Sequence, residues 1–416
     1  MGEPNNLAPL GVVAKFHTGW TPPTADSNNF NGGLAWANIS DIATRKVMST
    51  AKTISKKALK DHPSARLVEP GDVLFPFKLS LGSSGIAGIP MYTNEAIATF
   101  PVGDNPNFEA RYLYYILPVF VPLNAAINIY GAPLLNSERI RSSRVPMPSL
   151  KKQRAIADYL DRETAEIDGM RADLNEMERL LTERRVSVAA LHIFGNNEAS
   201  FPQLSLKMVT EKTFAGEWGK DEGEQKINRP CVRVADFNRK TNMVSSKVPT
   251  IRSYTPKNVA EKTLQTGDLL IEKSGGTNIN PVGNVIEYVG PNGPLCSNFI
   301  QVVRLNAEHY PRYWQQAHLA AYQTGITNLH VHQTTGIQNL DLTGFTSEKY
   351  PAPPLAEQRR IADEIDRETA EIDSMLSDIT ELRDLLVERR AAVISAAVTG
   401  QIDIPASLDD KDEAHA

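Results

Sequence analysis

One helix-forming stretch, present twice, constrains this chain more than any other feature. The string DRETAEID stands at Asp161–Asp168 and again at Asp366–Asp373. The endings LLTERR (Leu180–Arg185) and LLVERR (Leu385–Arg390) keep the same offset of 205 residues. Over the 38 pairs from Gln153/Gln358 to Ala190/Ser395, 22 are identical, and no insertion separates the copies. An offset of about half the 416-residue chain predicts two similar halves, each a globular region followed by a long helix.

Within each copy the apolar residues step by four and three. They are Ile156, Leu160, Ile167, Met170, Leu174, Met177, Leu181, Val188 and Leu191, then Ile361, Ile365, Ile372, Met375, Ile379, Leu382, Leu386, Val393 and Ala396. A heptad seam held for so long predicts a coiled coil, about 60 Å at ~1.5 Å per residue. The skipped seam positions are charged: Glu163 and Arg184, Glu368 and Arg389. Antiparallel pairing about Leu174 and Ile379 sets Glu163 opposite Arg389 or Arg390, and Glu368 opposite Arg184 or Arg185. Parallel pairing would oppose like charges, which is costly in a seam. The expected fold is therefore α+β, with two globular domains joined by two long helices packed as an antiparallel coiled coil. It is a tandem repeat about a pseudo-twofold axis, with one globular domain at each end of a rod.

The expected segments are a globular domain over 1–147, a long helix over 148–195, a second domain over 196–352, a second helix over 353–400, and a C-terminal segment 401–416. The acidic tail Asp409–Ala416 has no core formers and is expected to be disordered. Landmarks repeat between the globular regions. Gly71–Phe75 and Gly267–Ile271 each read as a turn leading into a strand. Ile39–Ile42 is echoed by Val234–Phe237, and Glu109–Leu113 by Tyr310–Trp314. The proline-rich lead-ins Val145–Leu150 and Tyr350–Leu355 read as extended chain. These offsets drift from 195 to 201, so a common framework carries different loops. Ala110–Val121 reads as a buried helix broken at Pro118.

The formal net charge of −5 is uneven. Acidic residues concentrate on the helices and tail, while Met1–Leu150 and His192–Leu355 are mildly basic, at +3 and +2. That permits a polyanionic partner without requiring one. The N-terminal residues carry no secretory pattern, and no membrane span is expected. Cys231 and Cys296 are a poor basis for a disulfide framework and suggest a reducing compartment, hence cytoplasm.

Catalytic constellations are few. Asp104–Phe108 (DNPNF) faintly resembles the [DN]PP[YF] motif of adenine methyltransferases, without its second proline or a glycine-rich cofactor loop. Gly82, Gly85 and Gly88 lack the lysine of a phosphate loop and fit a turn and tight packing. His330 and His332 alternate as if on one face of a strand, but without carboxylate or cysteine company for a metal. No HEXXH or GxSxG occurs.

Taken together, the chain resembles the specificity subunit of type I restriction–modification systems. The resemblance is carried by Pro148–Asp158 and Pro353–Asp363, both P-x-L-x-x-Q-R-x-I-A-D, by the ETAEID cores, the ERR endings, Ala397–Asp403 (AVTGQID) and Gly19–Thr24 (GWTPPT). It implies that each globular region is a target recognition domain reading half of a bipartite double-stranded DNA sequence. It implies too that the helices set the spacer and dock two methyltransferase subunits, which restriction subunits join. The chain itself would carry no catalysis; S-adenosylmethionine and ATP would belong to the partner subunits. A coiled-coil scaffold that binds only proteins and a self-contained methyltransferase are the alternatives. Base edges are read by Arg, Lys, Asn, Gln, Ser and Thr, so loops after the framework strands are the expected readers. In the first domain these are Asn38, Ser40, Lys78, Ser80, Ser83, Ser84 and Tyr130. In the second they are Arg233, Lys273, Ser274, Thr277, Asn278, Asn280, His330, His332, Gln333 and Thr334.

Overall fold

The computed structural model describes residues 7–78, 82–127, 133–195, 201–239, 241–245, 247–277, 280–334 and 337–404. Ser80, Tyr130, Asn278 and the acidic tail lie outside these residues. The chain divides into two compact units, residues 1–173 with 382–416, and residues 174–381. Neither follows the linear order of the segments, because each takes one part of each long helix.

The long helices run Leu150–Phe194 and Leu355–Val398. In the first unit the beginning of one lies with the end of the other: Ala155, Ile156 and Leu160 share a core with Ala397, Val398 and Ile404. In the second unit Val188, Ala189 and Ile193 share a core with Ile361, Ala362, Ile365 and Ile372. That arrangement is antiparallel in both. The seam is not buried along its whole length. Ile167, Ile372 and Ile379 are buried, but Met170, Met177, Met375 and Leu382 are 39–51% exposed. At the end of the first helix the domain core selects Ala189 and Ile193, leaving the heptad position Leu191 exposed.

The two units repeat one topology. The main sheet of the first has strand order His17–Thr18, Ile97–Phe100, Val73–Pro76, Gly85–Ala87, Lys46–Val47. That of the second has Thr210–Ala215, Ile300–Leu305, Leu269–Glu272, Val285–Glu287, Met243–Val244, with Phe237–Asn238 added at the edge. Beside each lies a three-stranded sheet, Lys52–Ile54, Phe30–Ala37, Tyr92–Thr93 in one and Ile251–Tyr254, Ile227–Val232, Leu295–Cys296 in the other. The proline-rich lead-ins form strands Arg144–Pro146 and Lys349–Pro351, each paired with the first strand of its own unit.

The repeated Gly-Asp has a structural cause. Gly71 (φ 100°) and Gly267 (φ 90°) take left-handed backbone that a side chain would disfavour. The buried Asp72 carboxylate accepts from the amides of Glu69 and Val102, both at 2.9 Å. Asp268, fully buried, accepts from the Gln265 amide and from the Arg304 guanidinium at 2.7 and 2.8 Å. A buried carboxylate needs such partners to offset its lost hydration.

The expected break at Pro118 does not occur: one helix runs Ala110–Phe120 with Pro118 in its last turn. Proline has no amide for the carbonyl four residues back, which is that of Tyr114. The Ser84 hydroxyl donates to that carbonyl instead, at 2.5 Å. Asn105, in the stretch compared with a methyltransferase motif, is buried and closes a loop, donating to the carbonyls of Lys15 and Pro101.

Candidate nucleic-acid interface

Each long helix is fixed to its globular domain by residues of the repeated strings. Gln153 is fully buried; its Oε1 accepts from the Glu109 amide (2.9 Å) and its Nε2 donates to the carbonyls of Asn107 and Pro148 (3.0 Å each). Gln358 does the same to the Tyr310 amide and the Pro353 carbonyl, both at 2.8 Å. Asp161 takes hydrogen bonds from Arg111 (2.9 Å) and Tyr115 (2.8 Å) and pairs with Arg45 at 2.7 Å. Burial alone would raise Asp161, but bonds from Arg45, Tyr115 and Arg111 outweigh it and hold the carboxyl below its ordinary value. Asp366 is clamped by Arg312 at 2.6–3.1 Å and by Gln316 at 2.7 Å. Burial would lower Arg312, yet the Asp366 bonds leave it raised.

Of the two expected seam pairs, Glu368 with Arg184 is found and the one at Glu163 is shifted. In the second unit Arg184 lies 3.7 Å from Glu368, and Arg185 donates to Asp373 at 2.5 and 3.0 Å. In the first, Arg390 lies 3.3 Å from Asp168. The Asp168–Arg390 and Asp373–Arg185 pairs are the same two repeat positions, exchanged. Glu163 instead contacts its neighbour Arg162 at 3.3 Å, and Arg389 is exposed. The expected contact of Glu163 with Arg389 or Arg390 is displaced because the last Asp of DRETAEID meets the last Arg of the ERR ending. Both residues stood in the repeated strings, and only the register hid them.

On these anchored domains the expected reading residues divide. In the second unit several converge. Lys273 leaves the strand Leu269–Glu272 with its amide on the Phe299 carbonyl and its own carbonyl accepting from Leu340, both at 2.9 Å. Ser274 donates to Asn339 Oδ1 at 2.6 Å, and the Gly275 amide bonds the Gln338 carbonyl at 3.1 Å. The loop after the strand is thereby pinned to the hairpin Val331–Thr334/Ile337–Leu340. Thr277, Asn280, His332 and Gln333 are exposed on this composite surface; Thr334 belongs to the hairpin by its backbone. Burial pulls the Lys273 ammonium below its ordinary value. The adjoining Glu272 is buried and raised by that burial, with Arg239 offsetting part of the shift from 2.5 Å.

The other expected readers lie apart from this surface or are engaged by neighbouring groups. His330 does not share a strand face with His332. It ends a 3-10 turn, Ile326–His330, and its Nε2 meets Glu348 Oε1 at 2.9 Å. Arg233 is bound to the buried Asp236 carboxylate at 3.0 and 3.3 Å. Asn38 occupies the matching position in the first unit, its amide donating to Asp41 at 2.7 Å, and Ser40 is exposed in the same turn. Ser84 is buried under Tyr114, as described, and is no free reader. Lys78 is exposed, 3.9 Å from Glu95. Ser83 lines a 710 Å³ cavity with Arg45, Tyr115, Asp168, Arg171 and Arg390. Those three arginines lie far apart in sequence, and nothing local marked them as neighbours. The equivalent hairpin of the first unit pairs Ala126–Ile127 with Pro133–Leu134.

Residues 5–179 match the type I restriction modification DNA specificity domain. The match covers 175 of the 416 residues and places the first part of the chain beside that family. The matched residues span the first globular domain and much of the first helix, and the same strand order recurs in the second unit. The EcoBI specificity subunit of Escherichia coli is 22% identical over 187 residues, 45% of this chain and 38% of that protein. The StySPI specificity subunit of Salmonella potsdam is 21% identical over 278 residues, 62% and 57%. The chain thus spans well under two thirds of either relative. The fold is shared along almost its whole length with the HsdS subunit of Thermoanaerobacter tengcongensis (TM-score 0.60, 17% identity, 95% of this chain and 97% of that one). It is shared also with a chain from a structure of type I R-M complex assembly and conformational transition (TM-score 0.68, 17% identity, 95% and 98%). Among the described residues no helix is long and apolar enough to cross a membrane.

Proposed function

We propose that this chain is the DNA-specificity subunit of a type I restriction–modification complex. Each globular domain reads one half of a bipartite target in double-stranded DNA. The long helices fix the unread spacer and dock two methyltransferase subunits, which restriction subunits join. The chain has no catalytic step of its own; S-adenosylmethionine and ATP are used by the partners, and the complex works in the cytoplasm, on the nucleoid when bound to DNA. The observation that carries this reading is the duplication. A specificity domain over residues 5–179 is followed by a second unit with the same strand order and different loops. Further support comes from apolar residues left half-exposed on the helices, Met177, Leu180, Met375 and Leu385 among them, as an unoccupied docking face would leave them. The second domain adds exposed hydrogen-bonding side chains, Thr277, Asn280 and Gln333, on a pinned loop and hairpin, the residue types that read base edges.

Methylome sequencing of the host with and without this chain tests it. The expected result is one bipartite methylated motif that disappears on deletion. An unchanged methylome would overturn the reading.

A further inference from the structure

Trp218 and Phe299 are 39% and 49% exposed, unusual for such large rings, and they line the same 390 Å³ groove in the second unit. Val234 and Ala235 add apolar lining, and Arg233, Ser297 and Asn298 are its charged and polar members. The groove is rigidly built. The Arg252 guanidinium lies 4.7 Å from the centre of the Trp218 ring, ion-paired to Asp221 and donating to the Trp218 carbonyl at 3.2 Å. Arg233 is held by Asp236. Gly216 lets the Trp218 segment approach so closely that a Cβ there would lie 2.1 Å from the Ser297 carbonyl oxygen. The groove also continues the candidate interface, since the Phe299 carbonyl accepts the Lys273 amide.

Two half-exposed rings lining one groove with Arg233, one of them stacked on the Arg252 guanidinium, suit a flat, π-faced ligand attached to a polyanion. We propose that this groove holds a nucleobase of the second half-site, the rings of Trp218 and Phe299 stacking on it and Arg233 donating to its edge. The proposal rests on the DNA-specificity reading and deepens it.

The test is the methylated motif made by the full chain with its methyltransferase partner, for the wild type and for Trp218→Ala and Phe299→Ala. Preference at one or two adjacent positions of a single half-site should relax, with the other half-site unchanged. Affinity for duplex carrying the site should fall about 10- to 100-fold. Both alanine variants keeping the full motif and affinity would overturn the base slot while leaving the specificity reading intact. A wild type that makes no bipartite motif would overturn the reading itself. Should the alanine variants methylate nowhere, Trp218→Phe decides: an aromatic ring restores the original motif if stacking is its role, and a phenylalanine variant as inactive as alanine overturns the proposal. Unchanged DNA affinity with lost capture of the methyltransferase subunit would also overturn it, making the groove a protein-docking surface.

Discussion

His318 makes the stability of the second domain depend on pH. It lies on the helix Pro311–Gln323, fully buried, stacked on Phe345 at 4.9 Å and edge-on to Tyr350 at 4.8 Å. Neither ring nitrogen has a hydrogen-bond partner among the described residues. Burial pushes the imidazole down to about 3 from 6.5. Above pH 7 the ring is neutral folded or unfolded and contributes no pH dependence. Below 6.5 the unfolded chain takes up a proton that the folded domain refuses. Stability then falls by about 1.36 kcal/mol per pH unit until the folded value is reached. At pH 5, 1.5 units below 6.5, the loss is about 2 kcal/mol. His318→Leu removes the titrating group, and any repacking cost it brings is the same at every pH. Denaturant unfolding followed by tryptophan fluorescence is the assay, because Trp314 packs 6.5 Å from the imidazole. Measured at pH 7.5 and pH 5.0, the wild type should lose about 2 kcal/mol more than the variant. Parallel pH slopes for the two proteins would refute the reasoning.

Gln358→Ala strands the half-buried Tyr310 amide and the buried Pro353 carbonyl and should destabilise the second domain by about 2–4 kcal/mol in denaturant unfolding, while an exposed substitution such as Glu371→Ala costs under about 1. Ser84→Ala leaves the Tyr114 carbonyl without a donor and should lower stability by about 1–2 kcal/mol with the methylated motif unchanged; a changed motif at full stability would restore Ser84 as a reader. Exchanging charges at Arg185 and Asp373 should give a coupling of about 0.5 kcal/mol in a double-mutant cycle, since Asp373 is half exposed. Deleting one heptad from each long helix shortens each by about 10 Å and should change the spacer of the methylated motif with both half-sites retained, which long-read methylome sequencing checks.

The helices were legible because heptad periodicity and charge are written locally, and pairing them antiparallel needed only like-charge repulsion. The register was not legible at one-residue precision. Glu163 and Asp168 both stand in the repeated string beside the seam, and packing at the helix ends decides that Asp168 meets the arginine. The duplicated framework was legible where a residue type is dictated by backbone, as at Gly71 and Gly267. It was least legible for polar loop residues. Ser84 looks free in sequence, yet it repairs a defect created by a proline on a different element. Arg233 and Asn38 occupy the same turn in the two units, each held by an aspartate three residues on. His330 reads as a strand residue because alternation counts spacing alone; the 3-10 turn before the strand places it against Glu348.

The constant offset of 205 within the helices, beside drifting offsets elsewhere, follows from the anchors. On one helix Gln153 must reach the backbone of its domain, Asp161 must reach Arg111 and Tyr115, and Asp168 must face Arg390. These positions lie seven to eight residues apart, about two turns, so all three share one face. A single inserted residue between any two of them turns the later one by about 100° and breaks either the anchor or the seam. The copy with Gln358, Asp366 and Asp373 is bound by the same geometry. Loops between framework strands meet no such condition, because only their ends are fixed by the sheets, and their cost of closure grows slowly with length. The two halves therefore differ in the loops between framework strands and keep their helices in step.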